Sequence, residues 1–496
     1  MAMDGILTVD IGGTSVKVIL FDSAGRILAS IGREYTLITN GEHRVELQPE
    51  AYWDTLKRCV ADIMASSSVR AGDIRILTVS TQGETFVTLD GRAKAMGNAI
   101  IWIDTRAGDE AEQLREQFGR DAFFQTTGLG EISAIWPACK FMWLRRHEPQ
   151  RFKSTRKFLL LQDYMIYRLT GQFVCELTNA SSCGYLNINT AQWWPQMMDY
   201  LGVEPEQFGR LTPSGTIVGP IHKRAAEQLG LSTKTLVATG AQDQTASALG
   251  GGNIRPGILT ETTGTALALI RTIDTPRYDL DANVNYVPHS VPGKFITLAV
   301  SQTAGMVLKW FKDTFCTEEI ASAGDGVYTL LDEMAAKIAP GCDGLTISPH
   351  FSGKLFPGTD PNRRGLFRGV SLHHTKAHFV RAIMESVAFM LKENAEYMDA
   401  AYGPAEVVIS LGGGARSRLW AQIKASVLDR PVDMLECSES PSLGSAMLAA
   451  VAIGAAGDIA EACERFVRVK DRIEPDAAQV KVYSAVYPEF LRTSSL

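Results

Sequence analysis

No stretch of this chain stays apolar for the ~20 residues that a membrane-spanning helix requires. The opening MAMDG also lacks the basic-then-apolar pattern of a secretion signal. Neither a membrane partner nor export is therefore expected. Positive charge is not in excess either. The formal net charge of −6 argues against nucleic acid or an anionic bilayer as a partner, although local basic patches stay open. The 8 cysteines include no C-x-x-C pair and no metal-site spacing. They read as reduced, mostly buried thiols, and the protein as cytoplasmic. What remains is an ordinary globular composition, 45% apolar and 21% charged, over 496 residues. That length is too great for one core and suits two domains.

The stretch Ile6–Asp22, ILTVDIGGTSVKVILFD, is the most informative. Two apolar runs flank a short polar turn, and the second alternates with the two-residue period of a strand. Gly12 and Gly13 leave backbone N–H groups bare at the tip, so an anion can approach closely. Thr14 and Ser15 add hydroxyls, and Lys17 adds a positive charge. Asp10 is a carboxylate beside that nest, unwelcome near phosphate unless a metal ion lies between them. An ordinary glycine-turn hairpin would look the same.

Further along, Ile74–Ser80 reads as a strand ending in Thr81-Gln82-Gly83-Glu84. Polar residues past a strand's carboxyl end occupy the position where open α/β sheets bind ligands. Ala99–Ile103 reads as a strand that delivers Trp102, Asp104 and Arg106, of which the last two are equally readable as a structural ion pair. Tyr35–Ile38 is expected to extend the opening sheet. Thr235–Thr239 is a strand followed by Gly240-Ala241-Gln242-Asp243, where Asp243 suits a base and also a helix N-cap. The glycines at 250–252 suggest a hinge and a division into residues 1–250 and 251–496. Strand, Thr262-Thr263-Gly264-Thr265 and strand then repeat the opening pattern. Val407–Leu411 leads into Gly412-Gly413-Gly414 and a helix opening at Ser417, which suits a base and ribose on bare backbone or merely tight packing. A helix of small residues from Ser440 suits close packing under that glycine run, and the tail after about 470 reads as peripheral. Two hairpins in two halves imply two related α/β domains facing one nucleotide across a cleft. A nicotinamide-dependent oxidoreductase is a weak alternative, since no G-x-G-x-x-G spacing is present.

Asp10–Lys17 resembles the first phosphate loop of the actin and sugar-kinase superfamily. With ATGAQDQTASALGGG (238–252), TETTGTA (260–266) and SLGGGARSRLW (410–420), nearly the whole chain resembles the FGGY carbohydrate kinases. That resemblance implies two ribonuclease H-like (actin-like ATPase) domains flanking a nucleotide and sugar cleft, with ATP and Mg²⁺ as cofactors. It implies Asp243 as the base, and Gln82, Glu84, Trp102, Asp104, Asn179, Asp243 and Gln244 at the substrate. It implies Gly12, Gly13, Thr14, Lys17, Thr263, Gly264, Gly412, Gly413, Gly414 and Ser417 at ATP, and Asp10 with Asp243 at the metal. Lys140, Trp143, Asp163 and Tyr164 resemble scaffold landmarks. Gly13 stands where members usually carry threonine or serine. Gly83-Glu84 follows neither the Met-His pair of xylulokinases nor the Arg-Glu of glycerol kinases, and Gly353-Lys354-Leu355 departs from a common Gly-Glu-Arg. The expected partners are a small sugar or polyol and ATP, with room for a homodimer. A neutral ketopentose such as xylulose is favoured, because Gly83 should leave space for a longer chain and only Arg106 offers a cation for an acid. Glycerol, erythritol or another polyol, and gluconate are the alternatives within the family. An actin-like or chaperone-type ATPase is the alternative outside it.

Overall fold

The computed structural model describes residues 5–281 and 284–495. They form two compact units. The first holds the chain through Ile254 together with Tyr286–Ile296 and Glu439–Val467, and the second holds Arg255–Asn285, Thr297–Ser438 and the chain from Arg468 onward.

In the first unit, Gly5–Ile11 and Ser15–Phe21 pair antiparallel, with Asp10 opposite Lys17. Ile27–Glu34 continues the meander, and its largely exposed side chains fit an edge position. On the other flank Ile74–Thr81 and then Leu236–Gln242 join in parallel, and Ile217–Pro220 closes the sheet antiparallel. Gly5–Ile11 and Ile74–Thr81 are almost continuously buried, which is why their sequences read as apolar runs rather than alternations. The parallel strands deliver their carboxyl ends, Thr81 and Gln242, to the same edge as the hairpin tip.

The second unit repeats this succession. Ile258–Thr263 and Leu267–Ile273 form the hairpin, Val407–Leu411 and Val432–Leu435 add in parallel, and Val469–Ile473 closes antiparallel. The strand Phe295–Ser301, which belongs to this unit from Thr297 onward, lies beyond the hairpin, as Ile27–Glu34 does in the first unit. The chain is thus a two-domain α/β protein of duplicated topology.

Local expectations differ from the structure in four places. The strand read at 99–103 spans only Ala99–Ile100. Tyr35 leaves the sheet, and the next strand, Ile38–Asn40, belongs to a separate sheet with Arg44–Leu47. The tail is not peripheral. Its helix Ala477–Ser494 buries Tyr483 and Phe490, and the Tyr483 hydroxyl donates to Glu385 (2.9 Å) while accepting from Arg381 (2.6 Å).

The fourth difference bears on the site. The small-residue helix Ser440–Ala452 lies in the first unit, against Asp243–Gly250, although the division at 250/251 assigns it to the second half. A Cβ on Gly444 would strike the Ala246 carbonyl, and one on Gly250 the Ser440 carbonyl. Only glycine permits so close a crossing. All 8 cysteines are free, and among the described residues no helix is long and apolar enough to cross a membrane.

Candidate active site

The first hairpin tip is held from outside. Tyr35 donates its backbone N–H to the Thr14 carbonyl (2.9 Å) and its hydroxyl to the Gly12 carbonyl, so the tip keeps one shape. Thr14 remains exposed. Lys17 is engaged differently from the expectation: its ammonium forms an ion pair with Glu439, the residue preceding Ser440–Ala452. Asp10 lies beside Ser80 on the neighbouring strand and accepts that hydroxyl at 3.0 Å. Burial pushes the Asp10 carboxyl up to about 6, against the pull of Ser80 and Lys17.

Gln82 and Trp102 converge on Gly13. A Cβ there would lie 3.4 Å from Gln82 Oε1 and 3.6 Å from Trp102 Nε1. Gln82 is 4% exposed, and neither amide atom makes a hydrogen bond of normal geometry. Trp102 is 38% exposed. Its loop is fixed from below by fully buried Lys140, which donates to the carbonyls of Ile101 (2.8 Å) and Trp102 (3.1 Å). Glu84 adopts a left-handed φ of 58°. Burial pushes its carboxyl up to about 7, with the Ser182 hydroxyl and Lys140 opposing. Gly83 does not leave room for a longer substrate, because a Cβ there would meet Ser182 Oγ at 2.9 Å and Gln242 Cγ at 3.5 Å.

Asp104 is fully buried in an ion pair. It accepts from Arg106 Nε (2.8 Å) and Nη2 (2.7 Å) and from the Val45 N–H (2.7 Å), and Arg106 also reaches Glu46 (2.6 Å). No acceptor is left facing a pocket, so the structural-pair alternative describes Asp104 here. Asn179 is likewise fully buried, donating to Glu176 (3.0 Å) and accepting from the Thr81 hydroxyl (3.4 Å).

Glu176 was not singled out from the sequence. Its buried carboxylate accepts from Thr178 N (3.0 Å) and Oγ1 (2.7 Å), Asn179 N (3.0 Å) and Nδ2 (3.0 Å), and Ser214 Oγ (2.7 Å). Thr178 Oγ1 in turn accepts from the Gln242 N–H (2.8 Å). Gln242, not Asp243, caps the helix that follows: its side chain accepts from Gln244 N (2.9 Å) and Thr245 N (3.2 Å). Asp243 is the first helical residue and accepts from the Gln244 N–H at 2.7 Å. Gly240 is required because a Cβ would strike the Val79 carbonyl, at a register shift between Thr239 and Gln242. Burial pushes the Asp243 carboxyl up to about 8, reinforced by the negative charges of Asp10 and Glu84. The first unit thus brings together three carboxylates, each raised in pKa, beside a bare-backbone hairpin tip.

In the second unit, Thr263 turns inward. It is 1% exposed, and its hydroxyl is taken by Glu261 (2.6 Å) and Lys424 (2.9 Å) rather than offered at the tip. The exposed hydroxyl at this tip belongs to Thr265, two residues on. The alternation of the strand carried that signal, since 261, 263 and 265 share a face only while the strand lasts. The tip's carbonyls at Gly264 and Thr265 accept from Gly305 N and Ala304 N (both 2.9 Å), at the start of the helix Gly305–Phe315. The glycine run divides by role. A Cβ on Gly414 would meet Thr263 Cβ at 2.7 Å and one on Gly412 the Thr263 carbonyl oxygen at 3.0 Å, whereas Gly413 faces open space. Tight packing explains the outer two but not Gly413. Ser417 caps the following helix, accepting from Trp420 N at 3.0 Å. A cleft of about 360 Å³ opens beside this turn, lined by Gly412, Ala415, Arg416, Glu436 and Lys470 among others.

Two family models match the chain: the N-terminal domain of the FGGY family of carbohydrate kinases over residues 5–250, and its C-terminal domain over 260–453. The chain is 30% identical over 485 residues to a xylulose kinase of Bacillus subtilis (strain 168), spanning 98% of this chain and 95% of that one. It is 27% identical over 496 residues to a gluconokinase of Bacillus licheniformis, spanning 99% and 95%. The crystal structure of xylulose kinase from Rhodospirillum rubrum superposes with a TM-score of 0.88 at 29% identity, covering 99% of this chain and 98% of that one.

A pH profile tests the carboxylate cluster. If turnover needs ionised Asp243, kcat/KM for the phosphoryl acceptor should fall as pH drops below about 8. Glu84→Gln removes a negative neighbour and should move that acid limb to lower pH. A limb that stays in place in this variant would show that the two carboxylates do not interact.

Proposed function

The chain belongs to the FGGY family of carbohydrate kinases, and from that premise we propose that Asp243 is the base through which it phosphorylates a small neutral sugar. The reaction class is transfer of a phosphoryl group from ATP to an alcohol of a sugar or polyol. Such a transfer is catalysed chiefly by positioning and charge stabilisation, with a carboxylate accepting the hydroxyl proton as the oxygen attacks phosphorus. The family membership removes the actin-like and chaperone-type alternatives.

Support for Asp243 is its placement just past the carboxyl end of an interior parallel strand, with a pKa held near its working range by burial and two like charges. On this reading Glu84 and Gln82 accept and donate to substrate hydroxyls, and Trp102 supplies an apolar face for the carbon chain. Gln244 follows Asp243 on the first helical turn. The backbone at Gly12 and Gly13 and the Thr14 hydroxyl receive the terminal phosphates. Gly264 and Thr265 serve at the second hairpin, in place of the buried Thr263 hydroxyl. Gly413 carries the nucleoside, with Arg416 beside it. Asp10 and Asp243 raise each other's affinity for positive charge, a donor set that suits Mg²⁺ with part of its water shell retained. Mg²⁺, when bound, would neutralise charge on the β- and γ-phosphates.

One observation supports a neutral sugar over a sugar acid. Arg106, the cation considered for a carboxylate, has 2% of its side chain exposed and is taken up by Asp104 and Glu46. A neutral ketopentose such as xylulose is therefore the favoured acceptor. With the space at Gly83 filled, the case against glycerol rests only on the missing arginine.

Asp243→Asn should lower sugar phosphorylation by several orders of magnitude while MgATP binding persists. Retention of more than about a tenth of wild-type turnover, a barrier change under ~1.4 kcal/mol, would contradict the assignment. For the substrate, ADP release should be compared across pentuloses, hexuloses, polyols, glycerol and gluconate at equal concentration. A pentulose should give the highest kcat/KM; gluconate or glycerol above every pentulose would refute the Gln82–Glu84 reading.

A further inference from the structure

Beneath the second hairpin lies a closed polar network. Lys424, on the helix Arg418–Leu428, and Glu261, on the hairpin strand, are both 0% exposed at the side chain. The Lys424 ammonium donates to Glu261 Oε1 at 2.6 Å and to Thr263 Oγ1 at 2.9 Å, with Ser410 Oγ at 3.5 Å and the Trp420 ring centroid at 5.2 Å. Thr263 Oγ1 donates to Glu261 Oε2 at 2.6 Å, and Ser410 Oγ donates to Glu261 Oε1. These residues come from the hairpin strand, the strand leading into the glycine run and the helix leaving it.

A buried ion pair is a poor source of stability, because desolvating both charges offsets most of their attraction, and apolar residues of similar volume often serve as well. Nor is the pair needed to join the strands, which already form a parallel ladder with Glu261 opposite Ser410. What it adds is the orientation of one side chain. With its hydroxyl held by Lys424 and Glu261, Thr263 presents Cγ2 to the glycine turn, where a Cβ on Gly414 would lie 2.8 Å away. The Thr263 carbonyl lies under Gly412 in the same way. Thr263 is thus the floor of the glycine turn and the residue immediately before the Gly264–Thr265 tip.

We propose that Lys424 is a positioning residue for the nucleotide: through Glu261 and Thr263 it locks the Gly412–Gly414 turn and the Gly264–Thr265 tip into one arrangement. It touches no substrate. The proposal rests on the reading of those two segments as the nucleotide site, and the two can fail separately.

The test is MgADP binding by calorimetry, with steady-state kinetics, on Lys424→Met, Thr263→Val and Gly413→Val. Lys424→Met should weaken MgADP at least tenfold and raise KM for ATP to a similar degree, with KM for the sugar changed less than threefold. Thr263→Val keeps the packing and removes the hydroxyl, so it should reproduce the nucleotide defect in part; it decides the matter if Lys424→Met does not fold. A cooperative melt with wild-type MgADP affinity in both variants would overturn the role of Lys424. Gly413→Val probes the site itself. If it abolishes MgADP binding while the other two variants bind normally, the site stands and the Lys424 proposal falls. If it binds MgADP as wild type does, the site assignment falls, and the proposal with it.

Discussion

The buried carboxylate of Glu176 is the constraint on which the first unit's candidate site depends. It accepts hydrogen bonds from Thr178, Asn179 and Ser214, and none of these donors is a cation. Burial alone would raise its pKa, and the donors act against that rise. An uncompensated charge in such a place costs several kcal/mol. Charge-assisted hydrogen bonds of ~1.5–3 kcal/mol each can offset that, provided the donors are held in place. Holding them fixes two walls at once. Thr178 fixes the backbone of Gln242 and with it the start of the Asp243 helix, while Asn179 reaches Thr81 beside Gln82 and Glu84.

The second unit solves a similar problem with different residues. There Glu261 collects Thr263, Ser410 and Lys424, and so ties a hairpin to the neighbouring parallel strand and to the helix that follows it. In both units the candidate site segments lie at the carboxyl ends of parallel strands, where backbone geometry alone leaves freedom. In both, a buried carboxylate removes that freedom from behind. The remaining site groups can then be few and simple: bare glycine backbone, a threonine hydroxyl and a raised-pKa aspartate. This arrangement suits a phosphoryl transfer that relies on positioning.

Much of this was legible in the sequence, and the limits have a physical pattern. The hairpins, the strand into Gly412 and the position of Asp243 were readable because two-residue periodicity, glycine and polar strand ends are local signals. The destinations of side chains were not. Lys17 is neutralised by Glu439, 422 residues away, and Asn179 meets Thr81 across 98 residues. Asp104 carried a motif that fits either a ligand or an ion pair, and only its contacts with Val45 and Glu46-bound Arg106 decide for the pair. The sequence does not separate buried Thr263 from exposed Thr265, because a hydroxyl-rich tip does not say which face is inside. Glycine was ambiguous in the same sense: Gly83 and Gly414 are small because a neighbour fills the space, whereas Gly413 borders open space. The return of Glu439–Val467 to the first unit left no mark in composition, since close helix crossing needs only small residues that many helices carry.

The most direct test of this account is Glu176→Gln, which keeps the shape and removes the charge that gathers the donors. In protein that melts cooperatively, kcat/KM for the sugar should fall at least about tenfold, a barrier change of ~1.4 kcal/mol and slightly less than one charged hydrogen bond. If the nucleotide is held as proposed, largely by the second unit, MgADP affinity should stay within about twofold. A variant with wild-type kcat/KM for the sugar would contradict the claim that Glu176 holds the walls of the site.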